Sequence, residues 1–217
     1  MALSKADVNN INVTTVASKA IKFNSAADGF EAGDLGGSMV LLSTQTASGS
    51  ANLSFTSGID STYKEYVFKF IDIHPATDSV TFQFNVSIDG GSNYNVAKTT
   101  TVFEARHNEA DDTAGLGYQG RTLSEDLAQG TGYQHIAYTI GNDNDQCAVG
   151  TLQLFNPSST TFVKHFICVT NSYLASDYLY NWFSAGYVNT TSAVNAVQFN
   201  LTSGNIDSGT IKMYGVV

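Results

Sequence analysis

The stretch Val80-Thr81-Phe82-Gln83-Phe84-Asn85-Val86-Ser87-Ile88 alternates without a break, with five apolar residues at even positions and four polar residues at odd ones. A repeat of two is the repeat of a pleated strand, whose successive side chains leave opposite faces. The segment therefore predicts a sheet with one face in a core and the other in water. It runs into Asp89-Gly90-Gly91-Ser92-Asn93, where glycines supply the positive φ angles that a hairpin demands.

Ten further segments carry the same signature: 38 to 45, 51 to 56, 63 to 73, 96 to 104, 133 to 140, 148 to 155, 162 to 170, 179 to 188, 194 to 201 and 209 to 216. They are rich in Val, Phe, Tyr and Thr, and turn-formers separate them, which is the pattern of an all-β sandwich or barrel. No long segment of period 3.6 lies outside the N-terminal region, so α/β folds are excluded. A length of 217 residues suits one such domain. The expected fold class is all-β, an antiparallel two-sheet sandwich over 38–217 with a short N-terminal arm over 1–37.

The arm is set apart by its Ala, Asn, Ser and Gly content and ends in the turn-formers of Asp28 to Gly37. Val13, Val16, Ala20 and Ile21 could share a helical face, while Val13-Thr14-Thr15-Val16 favours a strand equally. Residues 105 to 132 read as the one long irregular excursion, of a length that in compact domains is functional or disordered.

One hairpin can be given a register. Asn156-Pro157-Ser158-Ser159-Thr160-Thr161 is a turn cluster, and pairing Phe155 with Phe162 sets Val149 opposite Cys168, with Cys147 one same-face step away. That offset is too wide for a bridge, and two free thiols are expected at Cys147 and Cys168.

Charged residues are 13% of the chain, about half of the usual share of roughly 25%. The surface must be built from Ser, Thr, Asn, Gln and Gly, whose side chains lose little rotamer entropy when a partner covers them. The net charge of −9 argues against nucleic acid and against anionic membranes, both of which call for Lys and Arg. Met1-Ala2-Leu3-Ser4-Lys5 lacks the charged and apolar regions of a secretory signal, so cytoplasmic assembly is expected. The Asn-x-Ser/Thr matches at Asn12, Asn52, Asn85, Asn189 and Asn200 then carry no glycans.

Chemistry-bearing residues are scattered. His74, His107, His135 and His165 lie in four segments, none with a second His at ligand spacing. Continuing the strand past Glu104 puts Glu104 and Arg106 on one face and His107 and Glu109 on the other, a polar loop before it is a cation site. Asn142-Asp143-Asn144-Asp145 has the alternating oxygens of a calcium loop but lacks its glycine and its terminal glutamate. Nucleophile elbows, zinc-protease motifs and phosphate loops are missing from the sequence. The expectation is of no catalytic, cofactor-binding or metal residues. Tyr178-Leu179-Tyr180-Asn181-Trp182-Phe183 is apolar on both faces, with Tyr178, Tyr180 and Trp182 on one and Leu179 and Phe183 on the other. Such a strand is covered on both sides, by a second sheet or by a neighbouring subunit. This places Trp182 or its neighbours at a subunit contact, and a sugar-stacking platform is the alternative.

The run from Thr46 to Ile59 leading into Tyr66-Val67-Phe68-Lys69-Phe70 resembles jelly-roll-like virion proteins of marine tailed phages. So do Ile88 to Tyr94, Leu154 to Ser159, and the ending Gly209 to Val216, and the resemblance covers roughly 40 to 217. It implies a jelly-roll-type sandwich in a virion surface component, of capsid-decoration or tail-fibre type. Copies would assemble around a symmetry axis, with a trimer favoured, alongside other virion proteins, with the arm as anchor. Host surface glycans are the partner implied by the alternative, a receptor-binding module.

Overall fold

The computed structural model describes residues 19–33, 38–118, 125–174 and 176–217. The chain divides into two compact units, Met1–Ser38 and Met39–Val217. In the first, β1 (Ala20–Phe23) and β2 (Phe30–Gly33) form an antiparallel hairpin. Asn24 closes its turn by donating from its backbone N–H to Gly29 O, and Phe23 stacks on Phe30 with ring centroids 4.9 Å apart. Ala20 and Ile21 are therefore strand residues, while Val13 and Val16 lie outside the described residues.

The second unit is an antiparallel two-sheet sandwich, as the period-2 segments require. Its strands are β3 (Met39–Ser50), β4 (Asn52–Phe55), β5 (Glu65–Pro75), β6 (Val80–Ser87), β7 (Lys98–Asn108), β8 (Ala114–Tyr118), β9 (Gln134–Ile140), β10 (Ala148–Phe155), β11 (Lys164–Tyr173), β12 (Tyr178–Val188), β13 (Ala196–Leu201) and β14 (Ile206–Val216). The larger sheet has eight strands in the order β3-β14-β5-β10-β11-β12-β7-β8, and the smaller has four in the order β4-β13-β6-β9.

The core forms where the inner faces meet. Phe199 of β13 lies against Phe55, Phe82 and Phe84 of its own sheet and against Phe68 and Phe70 of β5 opposite, at centroid distances of 5.2 to 6.3 Å. Phe84 also meets Phe166 of β11 edge to face at 4.9 Å. Most of these pairs are edge-on or tilted, the arrangement that the ring quadrupole favours. A second, smaller cluster of Val102, Leu174, Tyr180 and Trp182 lies under β9, where Tyr138 stacks on Trp182 at 5.2 Å and 6°. There Thr170 Oγ1 donates to Ile136 O, and Ser172 Oγ to Tyr138 O, so β9 is stitched to β11 across the sandwich.

Three expectations are corrected. The polar face of β6 is not in water: Asn85 and Ser87 are fully buried and Thr81 nearly so. Asn85 Nδ2 donates to Tyr94 O and Thr131 O, so chain returning from the loops covers that face. The excursion at 105 to 132 begins as ordered pairing, over 105–108 and 114–118, while 119–124 lie outside the described residues. β7 runs on to Asn108 because Tyr178 to Asn181 of β12 supply its ladder, and it returns as β8.

The third correction is the register of β10 with β11. Leu152, not Val149, faces Cys168, and Val149 faces Asn171. The loop is eight residues long, 156 to 163, because its polar groups bond elsewhere: Asn156 N–H to Lys64 O, Val194 N–H to Pro157 O, and Lys164 Nζ to Thr190 O. Phe162 is left exposed instead of pairing. A slip of three residues is odd, so it turns every side chain to the other face. It also places Cys147 beside Tyr173, whose N–H it accepts at 3.1 Å, about 17 Å along the ladder from Cys168. The thiols are not neighbours, and both are free.

The ladder between β14 and β5 is interrupted by register shifts between Ile206 and Ser208 and between Ser208 and Thr210. Gly209, at φ 125°, sits in a register shift, and a Cβ there would come within 2.6 Å of Asp72 O. Only glycine fits such an approach at that φ.

Two outcomes follow. Phe199→Ala removes the ring that both sheets share, and should cost about 3 to 5 kcal/mol, read as a lower midpoint in urea unfolding. Under native conditions without reductant, alkylation should modify Cys147, which is half-buried, and reach Cys168 only after denaturation, since Cys168 is 1% exposed and burial raises its thiol pKa.

Candidate functional site

The strand from Tyr178 to Val188 is apolar on both faces, but the faces have different fates. Tyr180 and Trp182 point inward, and Trp182 is fully buried. It belongs to the core and is available neither to a subunit contact nor to a sugar. Leu179 and Phe183 point outward, onto the side of the larger sheet away from the smaller one, where Leu179 is 49% exposed.

That outer face continues across the neighbouring strands. The ladders set Phe183 against Phe103 and Leu179 against His107 on β7, and Phe103 against Tyr118 and Ala105 against Leu116 on β8. Phe103 and Phe183 stack at 4.6 Å and 6°. On the other side of β12, β11 presents His165, Ile167, Val169, Asn171 and Tyr173, and β10 presents Val149, Thr151, Gln153 and Phe155. No Asp, Glu, Lys or Arg points outward from these five strands. Beyond β10, charges do point outward: Glu65, which accepts from Gln153 Nε2 at 3.0 Å, and Lys69 on β5, and Lys212 on β14. Toward the end where β7 and β11 begin and β12 finishes, the face holds a shallow groove of about 620 Å³, lined by Thr99, Thr101, His165, Ile167 and Tyr187.

Carboxylates gather at one end. Glu109, Asp111 and Asp177 lie around the turns that follow β7 and precede β12. Tyr173 Oη bonds Asp177 at 3.2 Å, and neighbouring Glu109 above all pushes its pKa up to about 12. His107 Nε2 lies 3.1 Å from Asp111.

The remaining candidates fall in separate places. Glu104 and Arg106 share the inner face as the alternation required, 3.8 Å apart, with Arg106 also donating to Tyr180 Oη. His107 points away from them, and Glu109 falls beyond β7. His135 bonds Glu125 and His74 bonds Gln146 O. Asn142 to Asp145 form a turn closed by Gln146, whose N–H donates to Asp143 O while its Oε1 accepts from Asp143 N–H. A polar cleft of about 440 Å³ lies beside it, lined by Asp72, His74, Asp145, Cys147 and Asp207. Among the described residues no group of three or more His, Cys, Asp and Glu is placed to hold a metal ion, and no helix is long and apolar enough to cross a membrane.

Sequence reasoning missed two buried lysines. Lys98 Nζ donates to Asn85 Oδ1 at 2.6 Å and to Val96 O at 2.9 Å, and Lys164 Nζ donates to Phe162 O and Thr190 O. Both cap loop carbonyls, and burial lowers the pKa of each, that of Lys98 from 10.5 to about 7. Their place on strands beside Val188 is the one signal that could have shown them, since a Lys at an inward position must be buried or break the pattern. With both withdrawn, the accessible surface is more acidic than the composition suggests.

No protein-family model, no curated protein and no solved structure matches the chain. The fold and the surface define a class: an antiparallel sandwich that covers one face of its larger sheet and, across five strands of the other, presents an apolar, aromatic surface without Asp, Glu, Lys or Arg.

Lys98 sets a pH dependence. Between pH 7 and 10.5 the unfolded chain holds a proton that the folded chain has given up, so this residue makes stability rise with pH through that window. Compared with Lys98→Met, the wild type should gain up to about 1.4 kcal/mol per pH unit there, and below pH 7 the difference should be flat. Urea unfolding of both at pH 6, 8 and 9.5 reads the sign, and a relative loss of stability on raising the pH contradicts it.

Proposed function

We propose that the chain is a non-enzymatic virion structural protein of a tailed bacteriophage, a surface appendage of capsid-decoration or tail-fibre type that works by assembly. The uncharged outer face of β7, β8, β10, β11 and β12 carries this reading. Apolar patches of that extent on a soluble domain mark contact surfaces, and interface cores are depleted of charge and enriched in aromatics. The hydroxyl and amide groups around the patch suit a protein packed against others, and the resemblance of 40–217 to phage virion proteins supplies the setting. Other virion proteins and further copies of the chain are its partners, on a particle surface assembled in the host cytoplasm.

A second reading, adhesion to host surface glycans, is favoured by one observation: the groove at Tyr187 and His165 combines rings with the hydroxyls of Thr99 and Thr101, and rings with flanking hydrogen-bonding groups suit a sugar. A glycan array on the purified protein separates adhesion from architecture.

Particles produced from the genome that encodes the chain, purified and washed in high salt, should contain its peptides at the copy number of a structural component. Mass spectrometry reads this. Finding the protein only in the soluble fraction of the lysate contradicts the proposal.

A further inference from the structure

The outer faces of β7, β8, β10, β11 and β12 together form one continuous surface. Five strands of 5 to 11 residues, 45 residues in all, about 4.8 Å apart and at about 3.3 Å per residue, give a patch of about 700 Å². That is within the range of about 600 to 1,000 Å² that each partner contributes to a standard stable interface. Ile167, Leu179, Phe103, Tyr118 and Leu116 are each 45% exposed or more in the isolated chain, so the patch has apolar surface left to bury.

Charge decides what can cover it. The chain carries a net −9, and with Lys98 and Lys164 buried the rest of its exterior is acidic. An uncharged face set against such an exterior would strip water from carboxylates and give them no partner, a desolvation cost that nothing repays. An uncharged face of matching size avoids that cost, and each molecule of this chain offers one. We propose that the outer face of β10-β11-β12-β7-β8 packs on the same face of a second copy, sheet on sheet, about a two-fold axis. The inference rests on the assembly reading above and adds to it the surface, the occupant and the symmetry.

The carboxylates choose between the two arrangements that lay the patch on itself. An axis along the strands would bring the Glu109, Asp111 and Asp177 ends of both copies together. An axis across the strands sends each acidic end over the partner's opposite end, where His165, Tyr187 and Thr99 lie. The second arrangement avoids like charges and is the one proposed. The sheets would then stack about 10 Å apart, as packed sheets do.

Ile167→Glu puts a carboxylate in the body of the patch and Leu179→Glu adds one at its acidic end, both at exposed positions, so the fold should tolerate them. Thr44→Glu does the same on β3, at the far end of the sheet. Analytical ultracentrifugation of the full-length chain should find a wild-type dimer, weakened about a hundredfold or more by either patch variant and unchanged by Thr44→Glu. Melting curves and circular dichroism confirm that each variant is folded. A wild-type monomer at 100 μM overturns the inference, as does a dimer indifferent to both patch variants. A trimer also overturns the two-fold contact but leaves the assembly reading standing, and absence from washed particles would remove that reading without touching the dimer.

Discussion

Phe199 is in ring contact with five other phenylalanines, three in its own sheet and two across the sandwich, and the rest of the architecture depends on that contact. It holds the four-stranded sheet against β5, and through Phe84 and Phe166 against β11. Four strands cannot cover eight. The smaller sheet shields only one side of the larger one, and its last strand, β9, reaches over β11 and β12 with the Tyr138–Trp182 stack. The inner side is then complete, and among the described residues of this unit no third layer packs on the outer side.

An ordinary solution to an uncovered sheet face is to make it polar, with an alternating strand showing charge to water. β5 and β14 follow that solution with Lys69 and Lys212. The strands from β10 to β8 do not, because the odd positions of β12 and their ladder partners are Leu, Phe, Ile, Val and Tyr, with Thr, Asn, Ala and the two histidines His107 and His165 between them. The cationic side chains that this half of the sheet does carry, Lys98, Lys164 and Arg106, point inward and are spent on loop carbonyls and on Tyr180. Low charge in the composition is thus not spread evenly over the exterior. It is concentrated as one neutral surface bordered by carboxylates.

Much of this was legible from period alone. The eleven alternating segments all became strands, and the two-sided apolar character of 178 to 188 was visible before any packing was known. Which side of that strand faced inward was not, because Tyr178, Tyr180 and Trp182 are as apolar as Leu179 and Phe183, and only the position of β9 decides between them. The β10–β11 register was misjudged for a related reason: Asn156 to Lys164 bonds to Lys64, Thr190 and Val194, and long-range bonds of that kind leave no local trace. The continuation of β7 through Arg106 and His107 was hidden by polarity, since the ladder from β12 stabilises a stretch that by composition belongs in a loop. Buried Asn85 shows the same limit on β6, where an alternating pattern promises water and tertiary structure supplies Tyr94, Lys98 and Thr131.

The claim that joins these observations is that the outer face of β7, β8, β11 and β12 is a buried surface in the working protein. Hydroxyl-radical footprinting of the protein at assembling and at dilute concentrations tests it residue by residue. Assembly should protect Phe103, Tyr118, Ile167, Leu179 and Phe183 from oxidation, while Leu41 and Phe162, exposed elsewhere, keep their rates. Equal oxidation of all seven residues in both states, or protection confined to Leu41 and Phe162, would contradict the account.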